Sequence, residues 1–144
     1  MIKPITIYGN PVLREECVSI EKTYPGIREV IETMWQTLRN ADGCGLAAPQ
    51  INLPIKLFVV NSRDSYAYMS ARERERFFAK DDCGIEETFI NAKITAYSDE
   101  VWTTGEGCLS IPDLYEEVTR RYRLRMQHEI RISKFERRKT EELN

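Results

Sequence analysis

The chain has 144 residues, of which 42% are hydrophobic and 31% are charged. This apolar content is enough for the core of one domain, which we expect to span residues 1–144. Its net charge of −2 excludes an overall basic field for binding nucleic acid. No stretch approaches the roughly 20 apolar residues of a membrane span, and the N-terminus lacks a signal-peptide pattern, so we expect a cytoplasmic protein without membrane contact.

The first predicted elements are a short strand and a long helix. Residues 5–8 predict a strand that ends at a Gly-Asn-Pro turn. Apolar residues then recur at helical spacing between Pro25 and Gly43, which predicts a helix. These apolar residues are Ile27, Val30, Ile31, Met34, Trp35 and Leu38.

The elements that follow are strands, with one charged segment between them. Residues 55–60 form a continuous apolar run of strand length, and residues 90–96 alternate as a half-buried strand does. Residues 70–80 are highly charged and predict a short surface helix or loop. We expect 101–103 to pair back on the preceding strand through a turn at 98–100. One helix against several antiparallel strands predicts an α+β fold.

The first motif with chemical content is G-C-G-L-A-A-P-Q, at residues 43–50. Its glycines and alanines leave backbone N–H groups open to close approach by a ligand, and Gln50 offers an amide donor. The structural alternative is a glycine-rich turn packed under a helix. A phosphate-binding loop is excluded because the Lys and Ser/Thr of that motif are absent.

The second motif is E-G-C-L-S, at residues 106–110, directly after a predicted strand. Three interpretations are open for Cys108. It is a thiolate metal ligand, a nucleophile or an inert core residue, and the inert role is the most common one for a lone cysteine.

The third motif is Gln127-His128-Glu129, which contains the first half of H-E-x-x-H. On a helix that pattern places two imidazoles on one face to hold a metal, and the Glu acts as general base. Here the second His is replaced by Ile132, and His128 is the only histidine of the chain.

These three motifs, in this order, resemble the signature motifs of the peptide deformylases. The likeness extends from the N-terminus through Pro112 and then weakens. It implies an α+β fold with antiparallel strands around a central helix, and a hydrolase that removes the formyl group from the N-terminal formyl-methionine of new polypeptides. The implied substrates are formyl-methionyl nascent peptides at the ribosome. The implied metal is Fe²⁺, with Zn²⁺ or Ni²⁺ as substitutes.

The resemblance also implies a role for each matching residue. Cys108 and His128 would be metal ligands, and Glu129 would be the acid/base that activates metal-bound water. Gln50 and the backbone N–H of Leu109 would bind the oxyanion formed at the formyl carbon. Four further residues would form the substrate cleft, namely Gly43, Gly45, Glu106 and Gly107.

The third motif departs from the family, in which H-E-x-D-H supplies a further protein ligand that this chain lacks. Two protein ligands leave metal binding weak. One rival interpretation is therefore an inactive or truncated deformylase-like protein that binds peptide without a stable metal. Another, from a different class of enzyme, makes Cys108 a thiol nucleophile with His128 as its base.

The C-terminal part is open to two interpretations. In one, residues 126–130 are the stump of the family's catalytic helix. In the other, apolar residues alternate along one strand at 118–132, which places His128 and Glu129 on opposite faces of a sheet and leaves no catalytic helix. A sheet face without its closing helix predicts marginal stability or self-association, so we expect either a monomer or a weakly self-associating protein.

Overall fold

The computed structural model of the protein describes residues 1–21, 23–132 and 135–143. The residues after Glu129 are described by their backbone alone. The helices among these residues are α1 (Ile27–Ala41), α2 (Arg63–Tyr68) and α3 (Ala71–Phe77). The strands are β1 (Gly45–Ala47), β2 (Leu57–Asn61), β3 (Glu86–Tyr97), β4 (Val101–Cys108), β5 (Ile111–Arg121), β6 (Leu124–Ile132) and β7 (Phe135–Leu143). Two 3-10 turns lie at Pro11–Arg14 and Ala48–Ile51.

The long helix predicted from the apolar spacing is confirmed as α1. Its buried side includes Met34 and Leu38, which are 0% and 1% exposed. The helix begins after Gly26 and ends at Asp42, and both of these flanking residues have left-handed backbone conformations. The left-handed turn at Asp42 directs the chain into the motif at 43–50, so the end of α1 sets the position of that motif.

The described strands form two antiparallel sheets. One has five strands in the order β1-β2-β3-β6-β7, and the other is the hairpin of β4 and β5. The apolar side of α1 packs on one face of the larger sheet, where Leu57, Val59 and Ile90 are each 2% exposed or less. The predicted α+β fold, with antiparallel strands around a helix, is confirmed.

The strand predicted at residues 5–8 is wrong, because this segment joins neither sheet. The N–H of Thr6 donates to the carbonyl of Gln50 and the N–H of Tyr8 donates to that of Ser110, each over 2.8 Å. These acceptors lie in a 3-10 turn and a hairpin turn, so no strand runs alongside to form a ladder. The segment instead ties the first two motifs to the N-terminus.

Two other predicted elements are confirmed with shifted ends. The apolar run at 55–60 becomes β2, which begins at Leu57 because Ile55 makes only an isolated bridge to Val18. The charged segment at 70–80 contains α3, whose first turn is capped by Ser70 and Glu73 in a reciprocal pair of hydrogen bonds.

The predicted pairing of 101–103 with the preceding strand is wrong. β4 pairs with β5 along its whole length, and β3 pairs with β6, where Tyr97 lies opposite Leu124. The turn at 98–100 therefore moves the chain from one sheet to the other. Cross-strand contacts favour β5 over β3 as the partner of β4. One of them is the 2.7 Å hydrogen bond between the hydroxyls of Thr103 and Thr119.

Neither interpretation of the C-terminal part is correct in full. The helix-stump interpretation is wrong, because residues 126–130 lie inside β6. The single strand at 118–132 is also interrupted, since β5 ends at Arg121 and β6 begins at Leu124 in the other sheet. The break is held by Tyr122, whose N–H donates to the Glu100 carbonyl over 2.8 Å and whose ring contacts Trp102. In the described residues after Phe77, every regular element is a strand.

The outer half of β3 exposes apolar side chains, with Ile94 at 42% and Tyr97 at 57% exposure. Exposed apolar surface on a sheet favours association. The weak self-association predicted from the sequence stays a prediction, as does the single domain at 1–144.

Asn91 joins the segment before α1 to the larger sheet. It lies where the β3–β6 register shifts, with a φ of 52° that L residues other than Asn and Asp rarely adopt. Its amide oxygen accepts from the N–H of Ile20, and its amide nitrogen donates to the carbonyl of Ile20 and to Glu129. One side chain therefore fixes three groups from two different parts of the chain.

We predict that Asn91→Ala lowers the free energy of unfolding by about 2–4 kcal/mol, because three hydrogen bonds are lost and alanine is strained at this φ. Asn91→Gly loses the same bonds without the strain, so its loss is smaller. Urea unfolding of both variants tests this. Equal losses for Ala and Gly would show that the left-handed conformation is not the cause.

Candidate active site

A cleft of about 1260 Å³ lies between the end of α1, the edge strand β1, α2 and the β4–β5 hairpin. Its walls come from both sheets, so the fold brings together motifs that lie far apart in the chain. Six of the residues predicted from the sequence line this cleft, namely Gly43, Gly45, Gln50, Gly107, Cys108 and Leu109.

The side chain of Gln50 is held in one orientation at the centre of this cleft. Its Oε1 accepts from the N–H of Ala47 over 2.9 Å, so its Nε2 faces the opposite way. That Nε2 donates to Ser110 Oγ over 3.0 Å and lies 3.9 Å from the Sγ of Cys108. A donor fixed beside an exposed thiol is a preorganised group of the kind that stabilises a developing negative charge.

Gly43 allows the first two motifs to pack closely. A Cβ on Gly43 would lie 2.8 Å from a terminal methyl carbon of Leu109, closer than real Cβ contacts come. The Leu109 side chain therefore occupies the space that any other residue at position 43 would need. This contact aligns the backbone of Leu109 with the glycine-rich segment across the cleft.

Glu106 is placed differently from the other predicted cleft residues. Its carboxylate accepts two hydrogen bonds from the guanidinium of Arg120, over 2.6 and 2.8 Å, and it is not among the residues that line the cleft. The hydrogen bonds from Arg120 hold the pKa of Glu106 below its ordinary value of 4.5. The same bonds raise the pKa of Arg120. In this arrangement Glu106 stabilises the hairpin.

His128 and Glu129 lie outside this cleft. They border a second cavity of about 380 Å³, together with Asn91 and Lys93. The imidazole of His128 is 2% exposed, and its centroid lies 4.5 Å from that of the Phe89 ring. The side chain of Glu129 accepts from the amide of Asn91 over 3.1 Å. These contacts are those of a packed core residue and a structural acceptor.

Strand order explains why His128 does not meet Cys108. Gln50, which reaches Cys108, is held by edge strand β1, whereas His128 lies on β6, three strands across the sheet. Three spacings between strands amount to about 14 Å. Two donor atoms on one metal lie within roughly 4 Å of each other. Cys108 lines the first cleft and His128 borders the second cavity, so the structure brings together neither the predicted ligand pair nor the thiol–imidazole pair of the nucleophile interpretation.

Several cleft residues were not predicted from the sequence. Ser110 is 4% exposed and its hydroxyl accepts a hydrogen bond from Gln50. Its position in the E-G-C-L-S motif could have identified it as a residue of the site. Asp64 and Tyr68 belong to α2, whose position beside the cleft depends on long-range packing. Tyr115 also lines the cleft. The glycines of the G-E-G pattern at 105–107, in the strand that pairs with Tyr115, were only a weak indication that a ring packs there.

A family model described as polypeptide deformylase matches residues 2–143 of this chain. The chain belongs to this family. It is 46% identical over 121 residues to the peptide deformylase of Flavobacterium johnsoniae, a match that covers 84% of this chain and 60% of that protein. It is 47% identical over 120 residues to the enzyme of Flavobacterium psychrophilum, covering 83% of this chain and 60% of that protein. The chain thus spans about 60% of the length of these curated relatives.

Solved deformylase structures have the same fold. The peptide deformylase of Thermus thermophilus superposes with a TM-score of 0.76 at 34% identity, covering 99% of this chain and 72% of that one. The enzyme of Thermotoga maritima also gives 0.76, at 26% identity, covering 99% and 82%. Within the described residues, no helix is both long and apolar enough to cross a membrane.

Family membership implies a catalytic divalent metal, and the described side chains do not fit one. Among them, no group of three or more His, Cys, Asp or Glu residues is close enough to hold a metal ion. A catalytic metal site needs about three protein ligands. Of the two predicted ligands, only Cys108 lines the cleft with Gln50.

We predict that Glu106→Gln lowers stability at neutral pH by less than about 1 kcal/mol, because the ion pair with Arg120 is partly exposed. Since the folded state lowers the pKa of Glu106, this contribution is complete above the carboxyl's unfolded pKa and is lost as the pH falls through the folded one. The difference in urea midpoint between the chain and Glu106→Gln should therefore vanish as the pH falls below the folded-state pKa of Glu106.

The matched control is Glu117→Gln, an exposed carboxyl on the partner strand. A difference that persists unchanged in acid would contradict the ion-pair role of Glu106.

Proposed function

We propose that this protein removes the formyl group from the N-terminal formyl-methionine of newly made polypeptides by hydrolysis, in the cytoplasm and on nascent peptides at the ribosome. The observation that carries the proposal is the fixed amide of Gln50, oriented by Ala47 and directed at Ser110 and Cys108. Membership of the deformylase family supports the reaction class.

Each cleft residue has a proposed role in that reaction. Nε2 of Gln50 and the backbone N–H of Leu109 donate to the oxyanion that forms at the formyl carbon, and each well-placed donor is worth about 3 kcal/mol in the transition state. Gly43, Gly45 and Gly107 line the cleft, and the absence of a side chain at Gly43 and Gly107 makes room for Leu109 and for the ring of Tyr115.

Cys108 is the residue of this cleft that we propose as a ligand for the divalent metal, with Fe²⁺ expected and Zn²⁺ or Ni²⁺ as substitutes. A thiolate suits these metals. We assign no ligand role to His128 and no acid/base role to Glu129 in the described arrangement, because both border the other cavity. Further ligands are required for turnover, and the described side chains do not supply them.

A second candidate function is binding of formyl-methionyl peptides without a stable metal. It is favoured by the same observation, that no three ligating side chains meet among the described residues. The cleft itself does not depend on a metal for its shape, since its walls are joined by the bonds of Gln50 and the packing of Leu109 on Gly43.

The test is hydrolysis of a formyl-methionyl peptide, measured as the release of formate. The chain is purified without oxygen and supplied with Fe²⁺ or Ni²⁺. Turnover that a chelator removes supports the deformylase. Peptide binding without turnover supports the second candidate. Absence of both turnover and binding contradicts both functions.

Two substitutions separate the predicted ligands. Cys108→Ser is expected to abolish metal-dependent turnover and to lower the bound metal measured by elemental analysis. His128→Leu is expected to leave both within about twofold, because His128 lies about 14 Å across the sheet from β1. Circular dichroism of the same sample verifies that His128→Leu is folded. If the folded variant has lost its metal, His128 is a ligand and β6 must rearrange to provide it.

A further inference from the structure

The second cavity, of about 380 Å³, lies where the segment before α1 meets β3 and β6. Ile20 and His128 border it and are only 6% and 2% exposed, whereas Glu21, Lys93 and Gln127 are exposed residues at its border. Small-molecule sites in proteins have volumes of roughly 300–1,000 Å³ and combine buried walls with a few polar groups. This cavity therefore has the size and the mixed lining of a site for a small molecule.

Asn91 fixes the segment before α1 to β3 beside this cavity. Its amide oxygen accepts from the N–H of Ile20 over 2.8 Å, and its amide nitrogen donates to the carbonyl of Ile20 over 2.8 Å. Glu21 is the next residue after Ile20, and Lys93 lies two residues after Asn91. One carboxylate and one ammonium group are therefore attached close to the same anchored side chain.

The larger sheet contributes a row of polar residues to the cavity. Lys93 lies opposite Gln127 in the β3–β6 pairing, so the two side chains share a face of the sheet. Glu129 lies two residues along β6 from Gln127, about 7 Å away on the same face. Its carboxylate accepts from the amide of Asn91 over 3.1 Å. A cation, an amide and a carboxylate thus follow one another along this face.

The polar groups at the border of the cavity are not used within the described part of the chain. Among the described residues, the side chains of Glu21, Lys93 and Gln127 take part in no ion pair and no hydrogen bond. A simple cation placed in the cavity would meet the ammonium group of Lys93, and a simple anion would meet the carboxylates of Glu21 and Glu129. A ligand that carries both charges matches both sides of the cavity.

We propose that this cavity binds a free α-amino acid. The ligand's carboxylate pairs with Lys93 and accepts from the amide of Gln127, and its ammonium group pairs with the carboxylates of Glu21 and Glu129. One strand spacing and two residues along β6 place the Cα atoms of Lys93 and Glu129 about 8 Å apart. That separation leaves room between their side chains for the two charged groups of one amino acid. The site lies outside the cleft of Cys108 and does not depend on the proposed function.

The test is a proton–nitrogen NMR titration of the full, isotopically labelled chain with three matched probes. The first is L-leucine, the second is isoamylamine, which lacks the carboxylate, and the third is 4-methylpentanoate, which lacks the ammonium group. L-leucine is expected to shift the amide signals of residues 19–21, 91–93 and 127–129 and to saturate with a Kd of about 1 mM. Each of the other two probes should bind at least about tenfold more weakly.

Two variants separate the two ends of the ligand. Lys93→Met should weaken L-leucine about tenfold without weakening isoamylamine, because the amine has no carboxylate to pair. Glu21→Gln should weaken L-leucine and isoamylamine by about the same factor without weakening 4-methylpentanoate. The matched controls are Lys80→Met and Glu15→Gln, exposed residues that border neither cavity, and they should change the binding of no probe.

Four results would overturn the inference. Equal binding of the three probes shows that the charged groups of the amino acid are not recognised, and so does an unchanged Kd for L-leucine in Lys93→Met. Shifts at residues 43–50 and 107–115 instead place L-leucine in the cleft of Cys108. Absence of any saturable shift shows that the cavity binds no amino acid. None of these results bears on the release of formate, so the proposed function is tested separately.

Discussion

The Gln50 side chain is the contact on which the site depends, because it joins the two sheets. Its oxygen accepts from β1 of the five-stranded sheet, and its nitrogen donates to Ser110 at the turn of the β4–β5 hairpin. Backbone pairing does not link these sheets among the described residues. The position of Cys108 relative to the glycine-rich segment therefore follows from this amide, from the packing of Leu109 on Gly43, and from the N-terminal segment that is bonded to both motifs.

The same sheet order that builds the cleft keeps His128 away from it. Pairing of β3 with β6 places β2 and β3 between this histidine and the edge strand, and the ring packs on Phe89. The sequence Gln127-His128-Glu129 thus occurs in a strand, where neighbouring side chains point to opposite faces. The H-E-x-x-H motif needs helical spacing to bring its two imidazoles to one side. The likeness to the family's third motif is local in sequence and is not matched in geometry.

The family match shows which family the chain belongs to, whereas the geometry of the described residues shows only part of a deformylase site. The family match spans nearly the whole chain, yet the curated relatives extend well beyond the region they share with it. What the described residues bring together in one cleft is the amide donor of Gln50, the thiol of Cys108 and three glycines. Because no three ligating side chains meet among the described residues, peptide binding and turnover must be measured separately.

The sequence alone determined the α+β fold and helix α1, because apolar periodicity is a local property, and the resemblance carried by two short motifs implied that both belong to one site. It did not determine the partner of β4, the break between β5 and β6 or the role of Glu106, since each depends on pairing between residues far apart in the chain. Only the tertiary structure decided that Cys108 meets Gln50 while His128 does not, and that Tyr68 and Tyr115 face one cleft. The physical reason is that strand order fixes which side chains meet, and strand order follows from long-range packing, which short patterns do not encode.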